Sequence, residues 1–196
     1  MTTATGTPTI ILGSGSEFSF LDPEAATIEI EDIAFGLAAA SRFAGQCVSR
    51  FTRQRVRYSV AEHCVRGARA APPELAYPFL MHEAGEATCG DMVGPLKALF
   101  PQFRTLEKRC EASALKRFRV PEVDKVALKA LDLRMLSTEQ RDLMPEYIGK
   151  GRDWAVHLPL PIEIRQPWGF DEAAEEFLYC FRQLAPIELV EELFVL

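Results

Sequence analysis

The stretch Tyr58–Lys97, YSVAEHCVRGARAAPPELAYPFLMHEAGEATCGDMVGPLK, decides how this chain is read. Two of its three histidines fall there, His63 in an apolar-rich run and His82 at the head of His82-Glu83-Ala84-Gly85-Glu86, with Gly90-Asp91 close behind. Imidazole nitrogens and carboxylate oxygens crowded into one window suit a divalent transition metal such as Zn, Mn, Co or Fe, whereas calcium takes an all-oxygen shell. Val60, Cys64 and Ala68 recur at helical spacing, so Ser59–Ala70 reads as a helix that Pro72-Pro73 stops. A second helix is expected from Glu74 to Ala87. Along it Leu75, Phe79, His82 and Glu86 keep a three-to-four spacing, which puts His82 and Glu86 on one face and Glu83 one step around. Taken singly, His63 reads as a core histidine and a His-Glu pair as solvated; it is the combination of His63, His82, Glu83 and Glu86 that points to chemistry.

Upstream, Thr7–Leu12 and Glu17–Phe20 are β-prone runs around Gly13-Ser14-Gly15-Ser16, which predicts a small accessory hairpin within residues 1–21. The GSGS turn is not a phosphate-cradling loop, because no GK[ST] follows it. Glu29–Ala44 is expected to be one helix, with Ile30, Ile33, Ala34, Leu37, Ala40 and Ser41 on its mostly apolar face and Arg42 and Phe43 near its end. Arg50, Arg53, Arg55 and Arg57 follow, either as a solvated loop or as a draw for a polyphosphate tail.

Downstream of Asp91, residues Met92–Lys97 read as a loop returning into a helix, with Lys97 within reach of a phosphate. Pro101–Phe118 has one charged and one apolar side and reads as a covering helix; Val123–Met144 turns Leu128, Leu131, Met135 and Leu136 inward. Asp132 sits among those apolar side chains and needs a partner, a metal or an arginine, since an unpaired buried charge is costly. Prolines and glycines break up Pro145–Gly169, where His157 is a loop residue and Trp168 an anchor. Asp171–Leu184 is expected to close the fold as an amphipathic helix capped by Asp171. The apolar and acidic tail ELVEELFVL packs on its own chain or on a neighbour.

A chain of 196 residues, 48% hydrophobic, is most simply one domain, 1–196, with residues 145–196 as an extension on its bundle. Its 28 acidic and 22 basic residues, net charge -6, argue against a stable nucleic-acid complex. The five cysteines are scattered and form no CxxC pair, which fits a reducing compartment better than a disulfide framework. Neither a signal peptide nor a membrane-spanning run is legible, so the expected location is the cytoplasm and no membrane partner is expected.

At Ser41–Phe43, Tyr58–Cys64 (YSVAEHC), Leu80–Asp91 (LMHEAGEATCGD), Pro95–Lys97 and Ala130–Met144 (ALDLRMLSTEQRDLM) the sequence resembles the HD-domain phosphohydrolase superfamily, with its pattern H…HD…D. Within it, the likeness is to phage and bacterial deoxynucleotidases and deoxynucleoside triphosphohydrolases, and it runs from about Asp22 nearly to the C-terminus. One departure is that Glu83 stands where the family has Asp. The resemblance implies a mostly α-helical HD bundle with a small N-terminal β-hairpin. It also implies a divalent metal (Zn, Mn, Co, Fe or Mg) held by His63, His82, Glu83 and Asp132, and hydrolysis of a mono- or triphosphate from a deoxynucleotide. Glu86 would be the catalytic base, with Asp91 as the other candidate. Arg42 would touch phosphate, Phe43 would crowd the sugar where a 2′-hydroxyl sits, and Lys97 would be a further phosphate contact. Glu139, Arg141 and Asp142 would lie behind the ligands or in the helix packing. A homo-oligomer is expected. A metal-poor, non-enzymatic nucleotide-binding regulatory module is the other reading, and cyclic-nucleotide hydrolysis a weaker third.

Overall fold

The computed structural model describes residues 7–144 and 157–194, so the expectations for residues 145–156 lie outside the described residues. The chain is mostly helical, with two small antiparallel sheets of two strands each. The first is the expected hairpin, β1 (Thr9–Ile11) paired with β2 (Glu17–Ser19). Its turn is tied to the next helix, because Asp32 accepts hydrogen bonds from the Ser14 backbone N–H and hydroxyl, each at 2.8 Å.

Helix α1 (Ile30–Ala39) opens with Asp32 accepting from the Glu29 N–H at 3.0 Å, and buries Ile30, Ile33, Ala34, Leu37 and Ala38. It ends at Ala39, five residues before the expected Ala44. Ala40 is already extended, Ser41 bridges to Ser59, and Phe43 and Ala44 lie in the left-handed region at φ 55° and 52°. Arg42 and Phe43 therefore sit beyond the helix on a turned segment. The arginine-rich run is not an open loop throughout: β3 (Cys47–Val48) and β4 (Arg55–Val56) form a second hairpin there, which the sequence reading lacked. Arg50 lies 2.8 Å from Asp142 and 2.9 Å from Glu163, and Arg57 donates to the carbonyls of Ala38 and Ala39.

Helix α2 (Val60–Ala70) begins where the Ser59 hydroxyl accepts the Glu62 N–H at 3.1 Å, and Pro72 ends it. α3 (Pro73–Met81) crosses it closely, since a Cβ on Gly67 would lie 1.9 Å from the Phe79 ring. The single helix expected over Glu74–Ala87 is broken. α3 stops at Met81, a tight turn follows with Ala84 N–H bonded to Met81 O and Glu86 N–H to Glu83 O, and the short α4 covers Glu86–Cys89. After the short α5 (Gly94–Lys97), α6 (Pro101–Arg117) comes down onto that turn. It can do so because Gly85 has no side chain: a Cβ there would lie 2.8 Å from Glu111 N and 2.9 Å from Glu107 O.

α7 (Lys125–Leu143) is capped by Asp124, whose carboxylate accepts from Val126 N–H at 2.8 Å. Its second half buries Ser137, Thr138, Glu139, Gln140 and Asp142, and two of these hold the segment 160–164: Leu160 N–H donates to Thr138 and Ile164 N–H to Asp142, each at 2.8 Å. α8 (Phe170–Leu184) starts at Gly169, whose N–H Glu172 accepts at 3.4 Å, so Asp171 lies within the first turn rather than capping it. Trp168 does anchor its segment: its N–H donates to Glu62 at 2.9 Å, and the Arg66 guanidinium lies 4.6 Å from the ring centre. α9 (Ile187–Phe194) follows and seats Leu189 in the core.

Two apolar clusters result. The larger joins α1, α2, α3 and α8 through Ile33, Leu37, Val65, Leu80, Phe177 and Phe181. The smaller gathers Tyr58, Phe79, Met135, Leu143, Leu160 and Ile164 around α7.

Candidate metal centre

His63 comes from the second turn of α2 and is fully buried. Its Nδ1 lies 2.6 Å from Glu139 Oε1, while Arg42 Nε and Nη2 donate to Glu139 Oε2 at 3.1 and 2.9 Å. With Nδ1 donating to the carboxylate, the lone pair of His63 Nε2 faces away from Glu139. His82, just past α3, has its Nδ1 2.6 Å from the Phe79 carbonyl oxygen. A carbonyl only accepts, so the proton is on Nδ1 and Nε2 carries a second lone pair.

These two nitrogens lie 3.5 Å apart. Asp132 Oδ1 lies 3.4 Å from His63 Nε2 and 3.8 Å from His82 Nε2, and Glu83 Oε1 lies 3.5 Å from His82 Nε2. The four donor atoms all lie within 4.8 Å of one another. Ligand atoms held about 2.0–2.2 Å from an ion are separated from each other by roughly 3–3.6 Å, so the closer pairs already match a shared divalent cation, while longer ones such as the 3.8 Å from Asp132 to His82 would have to shorten to ligate it. Lone pairs converging at such distances repel unless a positive charge lies between them. Protons can supply it in part. Burial opposes charge on His82, yet Glu83 and the bond to Asp132 hold its pKa well above the ordinary histidine value. Asp132 is driven the other way: burial would raise its carboxyl, but the bonds to His63 and His82 hold it well below the usual carboxylate range. The second oxygen of Asp132 is fixed by Lys129 Nζ at 2.6 Å, so its ion pair is with a lysine and not an arginine.

Glu86 is not one of the four. It sits at the start of α4, buried, with Oε1 3.3 Å from Lys97 Nζ and Oε2 without a hydrogen-bond partner among the described residues. Burial first, then the Glu83 and Asp91 carboxylates, push its carboxyl up to about 9. Asp91 is also raised by burial, against the pull of Arg42. Of the expected phosphate contacts, Lys97 is bound to Glu107 at 2.6 Å as well as to Glu86, and Arg42 is committed to Glu139, with Nη1 3.9 Å from Glu83. Phe43 follows Arg42 on the left-handed turn, its ring centre 5.4 Å from the guanidinium carbon. His157 is exposed.

No family model matches the chain. It is 39% identical over 148 residues to the uncharacterized protein YfdR of Escherichia coli K12, covering 76% of this chain and 78% of that protein. The chain belongs to the YfdR family. An uncharacterized protein of Rhodobacter capsulatus is 38% identical over 131 residues, 61% of this chain and 64% of the relative.

In this YfdR-family chain the sequence reading placed Glu139 only loosely behind the ligands, whereas it is the residue that joins His63 to Arg42. The signal for it is spacing: Asp132 and Glu139 are two helical turns apart and so share a face of α7. Glu107, the partner of Lys97, and Glu111, one turn further along α6, carry no local signal.

Proposed function

We propose that this protein is a metal-dependent phosphohydrolase acting on deoxynucleotides. The reading rests on one observation: the inward-facing donors of His63, His82, Glu83 and Asp132, on three separate stretches of chain, spaced for one divalent ion. An ion bound there supplies Lewis acidity for a phosphoryl oxygen and acidifies water.

The side chains around it have matching tasks. Glu86 offers a buried oxygen, Oε2, with no hydrogen-bond partner among the described residues; once its raised carboxyl is ionised, which Lys97 against its other oxygen and a cation held by the four donors would both favour, it takes a proton from attacking water. Arg42, held by Glu139, is pre-positioned positive charge beside Glu83, and its own flexibility has already been removed. Phe43, fixed on the turn after it, presents an apolar ring that leaves a ribose 2′-hydroxyl unpaired and so favours deoxyribose.

Purified protein should contain close to one divalent ion per chain, and alanine at His82 or Asp132 should remove both the ion and hydrolysis. Glu86→Gln should keep metal and nucleotide binding while slowing single-turnover hydrolysis on the order of a hundredfold. A rate near the parent's in that variant takes the role away from Glu86 and moves it to Asp91. Equal rates on dATP and ATP by the parent protein would remove the Phe43 assignment.

A further inference from the structure

His82 has a second environment. A cleft of about 610 Å³ opens between α6, the Val120–Val123 connection and α7, and His82 is part of its lining. Its size falls in the range of small-molecule sites, about 300–1,000 Å³. Pro78, Leu115, Val123 and Leu128 give it apolar walls. Among these side chains stands Glu111, half-buried on α6 and without a hydrogen bond or ion pair among the described residues. The close approach of α6 to Gly85 fixes its backbone against the turn that carries His82 and Glu83. His82 and Lys108 act on this carboxylate only through space, with no hydrogen bond from either, and a ligand that brings donors to a partly desolvated carboxylate relieves the cost of its burial.

We propose that this cleft seats the nucleobase of the substrate and that Glu111 reads a base edge carrying two adjacent N–H donors, as guanine does at N1 and N2. This rests on the nucleotide-hydrolase reading above. A planar base buries its faces against Leu115 and Leu128 while its edge meets Glu111. Guanine supplies a donor to each carboxylate oxygen. Adenine and thymine each turn an acceptor toward one of those oxygens and leave lone pairs opposed. The exposed Lys108, Lys116 and Lys125 line the same cleft and favour the approach of an anionic ligand to a chain of net charge -6.

The test uses the full-length, metal-loaded protein and compares kcat/KM for deoxyguanosine, deoxyinosine and thymidine nucleotides. Hypoxanthine keeps the N1 donor and lacks the N2 amine, so it isolates the second bond. Deoxyguanosine nucleotide should exceed deoxyinosine nucleotide by roughly tenfold or more, and in Glu111→Gln, which offers one acceptor beside a donor, that ratio should collapse toward one. A parent protein that does not discriminate between the two, or a ratio unmoved by Glu111→Gln, overturns the proposal while leaving the hydrolase reading standing. If no deoxynucleotide is hydrolysed at all, the hydrolase reading fails, and calorimetric titration with free deoxyguanosine and thymidine decides the cleft. Tighter deoxyguanosine binding that Glu111→Gln abolishes supports it, and equal binding of the two overturns it.

Discussion

The packing of α1 on α8 and the buried second half of α7 are both dry, yet they are held by different forces. Where α1 and α8 meet, Ile33, Leu37, Phe177 and Phe181 stack without a polar atom among their side chains, and stability follows the apolar area removed from water. Along α7, Thr138, Glu139 and Asp142 are equally inaccessible, and each is spent on particular partners: the Leu160 N–H, the pair His63 and Arg42, and the Ile164 N–H together with the Arg50 and Arg141 guanidiniums. Area holds the first region together and tolerates substitutes of similar volume. Pairing holds the second, which loses most when a single partner is removed.

The largest expected effect comes from Glu139→Ala, which leaves the Arg42 guanidinium buried without its carboxylate and His63 Nδ1 without an acceptor. Breaking such a buried pair costs about 3–5 kcal/mol in chemical denaturation, and metal affinity should fall about tenfold to a hundredfold. Adding Arg42→Met should recover stability and leave the affinity low; recovery of both would mean that Glu139 does not act through His63. In the apolar region, Leu37→Ala should cost about 2–5 kcal/mol and leave metal content at the parental value, since nothing polar depends on it. A drop in metal content there would erase the contrast between the two regions. Chelation should act only on the second: at a free metal concentration a hundredfold above Kd, removing the ion costs about 2.7 kcal/mol, read as a lower Tm that His82→Ala no longer shows.

The smallest effect is a slope with pH. Burial, against the pull of Arg66 and the Trp168 N–H, raises the Glu62 carboxyl to about 7. Between the ordinary carboxylate value and that pH the folded chain keeps a proton that the unfolded chain has released. The contribution of Glu62 to stability is therefore greatest below the window and falls as pH rises through it, levelling off above about 7. Glu62→Gln should flatten that part of the stability curve, and an unchanged slope would locate the proton elsewhere.

The same contrast explains what could be read from the sequence. α2, α6 and α7 lay close to their expected bounds because apolar spacing and capping residues mark them: Ser59 before α2, Asp124 before α7, Pro101 at the start of α6. His63, His82 and Glu83 stand out because imidazoles and carboxylates crowd one window, and Asp132 because a carboxylate among apolar neighbours needs a partner. What could not be read was set by contacts from far along the chain. α1 ends at Ala39, where Ser41 leaves to bridge Ser59, and the helix carrying His82 breaks where α6 presses on Gly85. Nothing near Arg42 in sequence announces its carboxylate partner, Glu139, 97 residues away.

The contact of Gly67 with Phe79 also sets a length. Gly67 lies one turn beyond His63 on α2, and Phe79 is the residue whose carbonyl orients His82, so the closeness of those two helices fixes the gap between the two imidazoles. A methyl group at position 67 would have to push the helices apart and with them the two nitrogens, now 3.5 Å from each other. The bare backbone at that crossing thus acts as a spacer of minimal thickness, and the separation of the two imidazoles is set from outside the cluster to which they belong.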